Sequence, residues 1–284
     1  MKLQLKKFDM SSIASDKVVV FIGKRNTGKS YLVKDLLYYQ QRIPVGTVIS
    51  ATEMANNFYG DMVPPIFIHN EYNEDVIERV LIRQQKLLQK KREQDKKTNV
   101  IGKKPIDMNA FLILDDCLYD SSWTKSKFVR SVFMNGRHFK LLFLITMQYA
   151  LGIPPNLRTN IDYVFILREN IVQNRRRLYE CYAGMFPTFE VFNAVMDQCT
   201  ENFECLVINN NAKSNKIEDQ VFWYKAQTHP PFKLGSKDIW AYSNKNYNGN
   251  VVRTPEDDRE WDPSAFKTKN NKPSINVHKY NSLI

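Results

Sequence analysis

Short apolar runs alternate with helix-like stretches over most of the chain. Continuous apolar runs of this length are typical of strands buried on both faces of a parallel sheet. They occur at residues 17–22, 47–51, 66–69, 110–114, 141–147, 163–167, 205–208 and 221–224. Apolar residues at helical spacing predict helices over residues 29–40, 74–97, 125–137, 172–182 and 188–198. This alternation predicts an α/β domain of three layers with a mostly parallel central sheet.

The character of the chain changes near residue 229, where Asn, Lys, Ser and Pro accumulate. Residues 266–284 carry Lys267, Lys269, Lys272 and Lys279 with no acidic residue. The sequence therefore predicts a folded domain over residues 1–228 and a polar, basic, partly disordered C-terminal extension over residues 229–284. A solvated tail without a role is the more common explanation of such an extension.

Charge and composition favour some classes of protein over others. The 284 residues include 41 Lys and Arg against 30 Asp and Glu, a net charge of +11, which suggests a polyanionic partner. No apolar stretch approaches the roughly 20 residues of a membrane helix. No apolar segment follows the basic N-terminus, so we expect no secretory signal. The four cysteines lack C-x-x-C spacing, which argues against zinc and favours a reduced intracellular compartment.

The strongest motif is the segment GKRNTGKS at residues 23–30, which matches G-x4-G-K-[ST]. It follows a predicted strand and opens a predicted helix, where backbone N–H groups converge on phosphate oxygens. Lys29 would place its charge on the β- and γ-phosphates, and the Ser30 hydroxyl would ligate Mg²⁺. We therefore predict that ATP is bound by the loop and the residue after it: Gly23, Lys24, Arg25, Asn26, Thr27, Gly28, Lys29, Ser30 and Tyr31.

Two carboxylates, Asp115 and Asp116, follow the predicted strand at residues 110–114. Ligands of parallel α/β sheets bind at the carboxyl ends of the strands, so these acids are placed to complete a P-loop site. Asp115 is predicted to hold Mg²⁺, directly or through water, and Asp116 to orient or deprotonate the attacking water. A pair of acids favours hydrolysis over transfer to a bound hydroxyl, because an attacking water must be positioned.

Three further polar residues are catalytic candidates. Gln148 follows the strand at residues 141–147, where its amide would reach the γ-phosphate or the attacking water. A polar residue that only closes the strand is an equal alternative. Arg137 and Arg158 precede predicted strands, and each is either an arginine finger presented to a neighbouring subunit or a salt-bridged surface residue.

Together these segments resemble the genome-packaging ATPases of large double-stranded DNA viruses, the poxvirus-type branch of the FtsK–HerA motor superfamily. The resemblance covers about residues 15–225 and rests on GKRNTGKS, FLILDD, NGRH, LLFLITMQY and PPNLRTNIDYVFILREN. It implies a RecA-like ATPase that forms a homo-oligomeric ring and moves duplex DNA into a preformed capsid. By position, Asp115 and Asp116 match the Walker B acids and Gln148 matches the polar sensor. Many members of the superfamily carry Asp-Glu where this chain carries Asp-Asp.

A motor of this type would grip DNA through its phosphates without reading bases. Basic runs are the candidates for this contact, although each run is also compatible with a solvated face. They comprise Lys86, Lys90, Lys91, Arg92, Lys96, Lys97, the segment Arg175–Arg177 and the C-terminal tail. The resemblance further implies capsid or portal proteins as partners, and a location in the host cytoplasm, at the site of viral assembly, or in the virion.

Other functions remain open at this stage. The first alternative is a P-loop ATPase that does not package DNA, such as a helicase-like or DNA-transfer motor. A nucleotide or small-molecule kinase is a second alternative, although the sequence has no obvious arginine-rich lid other than residues 175–177. A third is a non-enzymatic nucleotide-gated binding module, against which the intact Lys29, Ser30 and Asp115 argue.

Overall fold

One nine-stranded sheet organises the residues that this computed structural model describes, namely 3–96, 105–117 and 121–247. The strands are β1 Lys6–Lys7, β2 Val18–Ile22, β3 Gly46–Ser50, β4 Ile68–His69, β5 Ala110–Asp115, β6 Leu141–Met147, β7 Tyr163–Ile166, β8 Glu204–Asn209 and β9 Val221–Lys225. Their order in the sheet is β1-β9-β8-β7-β2-β6-β5-β3-β4. Only β8 runs against its neighbours, β7 and β9. The predicted α/β fold with a mostly parallel sheet is confirmed.

Helices connect most of these strands. They are α1 Lys29–Tyr39, α2 Glu53–Asn56, α3 Glu74–Lys96, α4 Lys127–Asn135, α5 Pro155–Arg158, α6 Val172–Tyr182, α7 Phe189–Cys199, α8 Ile217–Gln220 and α9 Lys237–Asn246. Short 3-10 turns lie at Met10–Ser12, Pro65–Phe67, Ser121–Lys125 and Ala150–Gly152. Among the helices described here, none has the length and apolar character needed to cross a bilayer.

The central strand β2 shows why the sheet is covered on both faces. All five of its residues are buried. Val18, Val20 and Ile22 belong to one apolar core and Val19 and Phe21 to the other, because successive side chains of a strand point to opposite faces. Helices α3, α4, α6 and α7 pack into the first core, and α1 packs into the second. The result is the three-layer arrangement that the apolar runs predicted.

The structure differs from the expectation for the region after residue 228. The packed unit extends to Tyr247 and includes α9, which the polar composition did not predict. Buried Asp35 on α1 explains part of this, because its carboxylate accepts the backbone N–H of Gln227 at 2.9 Å and lies 2.6 Å from His229 Nε2. Leu234 is fully buried beyond these anchors. Residues 248–284, which include most of the predicted basic tail, lie outside the described residues.

The parallel pairing of the central strands brings the predicted catalytic segments to the same edge of the sheet. Strands β2, β3, β5, β6 and β7 all pair in parallel, so their carboxyl ends share one edge of the sheet. The phosphate-binding loop follows β2, the two acids are the last residue of β5 and the residue after it, and Gln148 follows β6. All three predicted catalytic segments therefore emerge at the same edge.

Candidate active site

The loop at residues 23–30 joins β2 to α1 in a conformation that requires glycine at two positions. Gly28 caps α1 with a φ of 103°, a region that side chains with a Cβ rarely adopt. A Cβ at Gly23 would lie 2.7 Å from Thr27 Oγ1 and 2.8 Å from Leu167 Cβ. The N–H of Gly23 donates to the Met147 carbonyl at 3.0 Å, which ties the loop to β6.

The Lys29 side chain is hydrogen-bonded to the backbone of the phosphate-binding loop. Its ammonium group donates to the carbonyl oxygens of Gly23 at 2.8 Å and Lys24 at 3.1 Å, and it lies 3.9 Å from Asp116 Oδ2. The side chain is 7% exposed. Burial lowers the pKa of Lys29, while the charges of Asp116 and Asp115 act in the opposite direction. The structure thus brings the P-loop lysine next to the acids at the end of β5.

Asp115 lies between two hydroxyl groups on neighbouring strands. The sheet register pairs it with Ser50 of β3 and with Thr146 of β6. Thr146 Oγ1 donates to Asp115 Oδ1 at 2.6 Å, and Ser50 Oγ donates to Oδ2 at 3.3 Å. Burial raises the pKa of Asp115, although the hydrogen bond from Thr146 lowers it. A buried carboxylate held in this way is suited to a cation, whose charge would offset the cost of burial.

Asp116 has a left-handed backbone, with a φ of 47°. Its N–H donates to Thr146 Oγ1 at 3.0 Å, so Thr146 contacts both acids at once. The side chain of Asp116 is 22% exposed, more open than that of Asp115. Because Asp and Asn tolerate a left-handed conformation better than longer residues do, this backbone explains an Asp here in place of Glu.

Tyr59 covers the acids from the segment after α2. Its side chain is completely buried beside Asp115. Burial raises the pKa of Tyr59 well above its ordinary value, with a further contribution from the charge of Asp115. The Glu53 carboxylate accepts the N–H groups of Tyr59 at 3.0 Å and of Gly60 at 2.7 Å. Glu53 thereby fixes the backbone from which Tyr59 reaches Asp115.

An open cleft of about 1750 Å³ lies beside the phosphate-binding loop and the ends of β5 and β6. Lys29 and Asp116 line it, and Gln148, exposed at the end of β6, lies on the same wall as Asp116. Tyr31, in the first turn of α1, and Phe203, which directly precedes β8, also line it. The cleft is therefore bordered both by Asp116 and by the N-terminus of α1.

The other predicted loop residues take different positions. Arg25 and Asn26 line the cleft. Thr27 Oγ1 donates to the Lys24 carbonyl at 2.7 Å and so stabilises the loop from within. The Lys24 side chain instead pairs with Glu169, 2.6 Å away in the segment after β7. Burial opposes the ionisation of Glu169, but the Lys24 ammonium and nearby N–H donors lower its pKa overall.

The two candidate arginines lie outside the cleft. Arg137 lies before the amino end of β6, at the opposite edge of the sheet, and its side chain is 63% exposed. It pairs with Asp162 at 3.3 Å. Arg158 is half-buried, donates to the Ile153 carbonyl at 3.0 Å and packs on the Tyr182 ring. Neither arginine is among the residues that line the cleft.

The basic residues that are candidates for DNA contact differ in whether other side chains hold them. The second half of α3, which carries Lys86, Lys90, Lys91, Arg92 and Lys96, contains no buried residue. Lys97 lies outside the described residues. In contrast, Arg175 pairs with Asp197 at 2.6 Å, and the guanidinium groups of Arg176 and Arg177 pack on the rings of Phe189 and Tyr149.

Sequence reasoning missed several residues of this site. Ser50 and Thr146 were available as polar residues at the ends of apolar strands, but only the register shows that both contact Asp115. Glu53 and Tyr59 lie in a segment with no recognisable motif. Phe203 is separated from the loop by most of the domain, so no local pattern connects it to the cleft.

Sequence comparison relates this chain to viral proteins. The family described as Poxvirus A32 protein matches residues 5–220. An uncharacterised protein of Acanthamoeba polyphaga mimivirus is 39% identical over 248 residues, 87% of this chain and 85% of the relative. One from Invertebrate iridescent virus 6 is also 39% identical, over 244 residues, 84% of this chain and 89% of the relative. The predicted resemblance to the poxvirus-type ATPases is confirmed.

Solved structures share the fold at low sequence identity. The genome packaging NTPase of Sulfolobus turreted icosahedral virus 2, in complex with sulfate, is 17% identical with a TM-score of 0.50. The match covers 77% of this chain and all of that chain. The pCW3 conjugation coupling protein TcpA with ATPγS is 11% identical with a TM-score of 0.54, covering 81% of this chain and 64% of that chain. These likenesses confirm the P-loop ATPase fold.

Proposed function

The chain belongs to the Poxvirus A32 protein family, and from this premise we propose that it hydrolyses ATP to translocate double-stranded DNA into a viral capsid. The observation that carries the proposal is the meeting of Lys29 with Asp116, 3.9 Å apart in a cleft that Gln148 also lines. A P-loop lysine, paired acids and a polar group on the neighbouring strand are the parts that ATP hydrolysis requires.

The residues present fit Mg·ATP. The N–H groups of the loop and the N-terminus of α1 suit phosphate oxygens, and Lys29 adds a positive charge where they converge. We propose that Ser30 and buried Asp115 hold Mg²⁺, which would neutralise charge on the phosphates when bound. The raised pKa of Asp115 supports this assignment, because a divalent cation would favour the ionised carboxylate that burial disfavours.

Asp116 is the proposed group that positions and deprotonates the attacking water. Its side chain is partly exposed to the cleft, unlike that of Asp115, so a water molecule can reach it. Gln148 is proposed to orient the same water or to bind the terminal phosphate from the end of β6. Thr146 would hold the two acids at a fixed separation through its single hydroxyl.

A ring of identical subunits would complete the site. Arg137 and Arg158 lie outside the cleft of their own chain, which suits a finger supplied to a neighbour. Of the two, Arg137 is freer, because its side chain is 63% exposed whereas Arg158 is anchored on Ile153 and Tyr182. Capsid or portal proteins would dock on such a ring in the host cytoplasm or the virion.

The second half of α3 is the proposed DNA-contacting surface. It carries five basic side chains, Lys86, Lys90, Lys91, Arg92 and Lys96, and no residue from 85 to 96 is buried. At about 1.5 Å per residue, this half of the helix is about 18 Å long. A solvent-exposed basic helix without a specific pocket suits phosphate contacts that are independent of sequence.

ATP turnover measured with and without duplex DNA, over a series of salt concentrations, tests the proposal. A DNA motor should be stimulated by DNA of any sequence, and the stimulation should weaken steeply as salt rises. ATP turnover that is unaffected by DNA but requires a phosphoryl acceptor would favour a kinase instead. Stimulation restricted to single-stranded DNA would favour a helicase-like motor.

Two substitutions test the assigned roles. We expect Lys29→Ala to lose nucleotide binding or turnover. Asp116→Asn should bind ATP but hydrolyse it at least 100-fold more slowly, because Asn accepts the left-handed backbone but cannot take a proton. Wild-type turnover in Asp116→Asn would remove Asp116 as the base.

Mixing Lys29→Ala chains with Arg137→Ala or Arg158→Ala chains identifies the arginine finger, because only chains with complementary defects can restore activity.

A further inference from the structure

Phe203 is an exposed aromatic residue on an unfavourable backbone. The residue is 65% exposed, and its φ is 64°. Asn202 before it has a φ of 49°, and the Glu204 N–H donates to the Glu201 carbonyl at 2.8 Å, which closes a tight turn between α7 and β8. Glycine and asparagine favour this conformation, whereas a bulky residue adopts it at an energetic cost. Burial in the core therefore does not explain a phenylalanine here.

The turn places this ring against the phosphate-binding loop. A Cβ built on Gly28 would lie 3.6 Å from Phe203 Cδ1, within ordinary van der Waals contact. Phe203 lines the same cleft as Lys29 and Asp116. Tyr31, which is also 65% exposed, lines the cleft at the start of α1. Phe203 and Tyr31 are thus exposed aromatic side chains next to the phosphate-binding loop, whereas the third exposed aromatic residue of the cleft, Tyr149, comes directly after Gln148.

The positions of the acids define the direction of a bound nucleotide. Asp115, Asp116 and Gln148 lie at the carboxyl ends of β5 and β6, on one side of β2, and must face the terminal phosphate if they act in hydrolysis. The base then extends from the opposite end of the phosphates. Phe203 precedes β8, on the other side of β2, so its ring lies at that opposite end.

We propose that Phe203, together with Tyr31, forms the nucleobase subsite, in which the Phe203 ring stacks on the purine of ATP. The inference rests on the proposed function, since it takes the acids as the site of the terminal phosphate. Stacking on an aromatic ring requires no hydrogen bond to the base, and an exposed ring provides a free face. The nucleotide would cover the ring that the free protein leaves in solvent.

Binding of ATP and of inorganic tripolyphosphate to the full chain tests the subsite, because only ATP carries a base. In Phe203→Ala and Phe203→Gly we expect ATP to bind about tenfold more weakly, a change of about 1.4 kcal/mol, while tripolyphosphate binds within twofold of wild type. Phe203→Tyr keeps a ring and should retain ATP affinity. Tyr242→Ala, which removes another exposed ring on α9 away from the cleft, should change neither affinity.

The glycine variant separates binding from folding. A ring that only stabilised the fold would lower the melting temperature when removed, whereas Phe203→Gly relieves the left-handed backbone and should melt no lower than wild type. Unchanged ATP affinity in Phe203→Gly would overturn the inference alone. An equal loss for tripolyphosphate would do the same, because the ring would then act on the phosphates. A wild-type chain that binds neither probe would overturn the proposed function as well.

Discussion

Thr146→Val removes the one hydroxyl group that contacts both acids of the site. Thr146 is completely buried; its hydroxyl donates to Asp115 Oδ1 at 2.6 Å and accepts the Asp116 N–H at 3.0 Å. Valine has nearly the same shape, so the substitution leaves no cavity and isolates the effect of the two hydrogen bonds.

The expected loss of stability follows from those two contacts. A hydrogen bond to a charged group contributes about 1.5–3 kcal/mol. An N–H left without an acceptor costs about 1 kcal/mol where, as at Asp116, it is only partly buried. The free energy of unfolding should therefore fall by about 3 kcal/mol. Turnover should fall about 10- to 100-fold, the usual effect of removing a group that orients a metal ligand.

Urea unfolding of the nucleotide-free chain and steady-state ATP turnover measure the two effects. Thr146→Ser is the matched control, because it keeps the hydroxyl and loses only a methyl group, at about 1 kcal/mol. The serine variant should retain most of the turnover. A valine variant that is as stable and as active as the serine variant would refute the view that Thr146 orients the acids.

Two further substitutions test the electrostatics and the shape of the loop. Asp115→Asn should abolish turnover yet raise the melting temperature of the nucleotide-free chain, because the pKa of Asp115 is raised by burial. Because folding raises the pKa of Asp115, the wild-type chain is most stable at low pH, where this carboxyl is protonated, and loses that stability as pH rises through the pKa. The difference in melting temperature between Asp115→Asn and wild type should therefore shrink on acidification. Gly23→Ala should weaken ATP binding and cost about 1–3 kcal/mol, because its Cβ meets Leu167. Gly184→Ala, where a Cβ meets no atom within 4 Å, is its control in binding and unfolding assays. Equal behaviour of the two variants would contradict the assigned loop geometry.

The local sequence determined the elements and the principal motif. The apolar run at Leu141–Met147 is a strand with those bounds, and Val172–Tyr182 is a helix with those bounds. Periodicity is enough for such elements, since it reflects which faces of a segment are buried. The phosphate-binding loop at residues 23–30 could also be predicted, because its glycines and lysine lie close together in the sequence.

Only the tertiary structure decided which distant residues share the site. Asp115 and Thr146 are 31 positions apart, and the register of β5 and β6 alone brings their side chains into contact. The packed region after residue 228 likewise depends on His229, which meets Asp35 across 194 positions. Such contacts leave no periodic signal, because each partner is chosen by the packing of the whole sheet and not by its neighbours in sequence. The sequence alone determined eight of the nine strands, the longer helices before residue 228 and the phosphate loop, whereas the fold added α9 and placed Thr146, Tyr59 and Phe203 around the site.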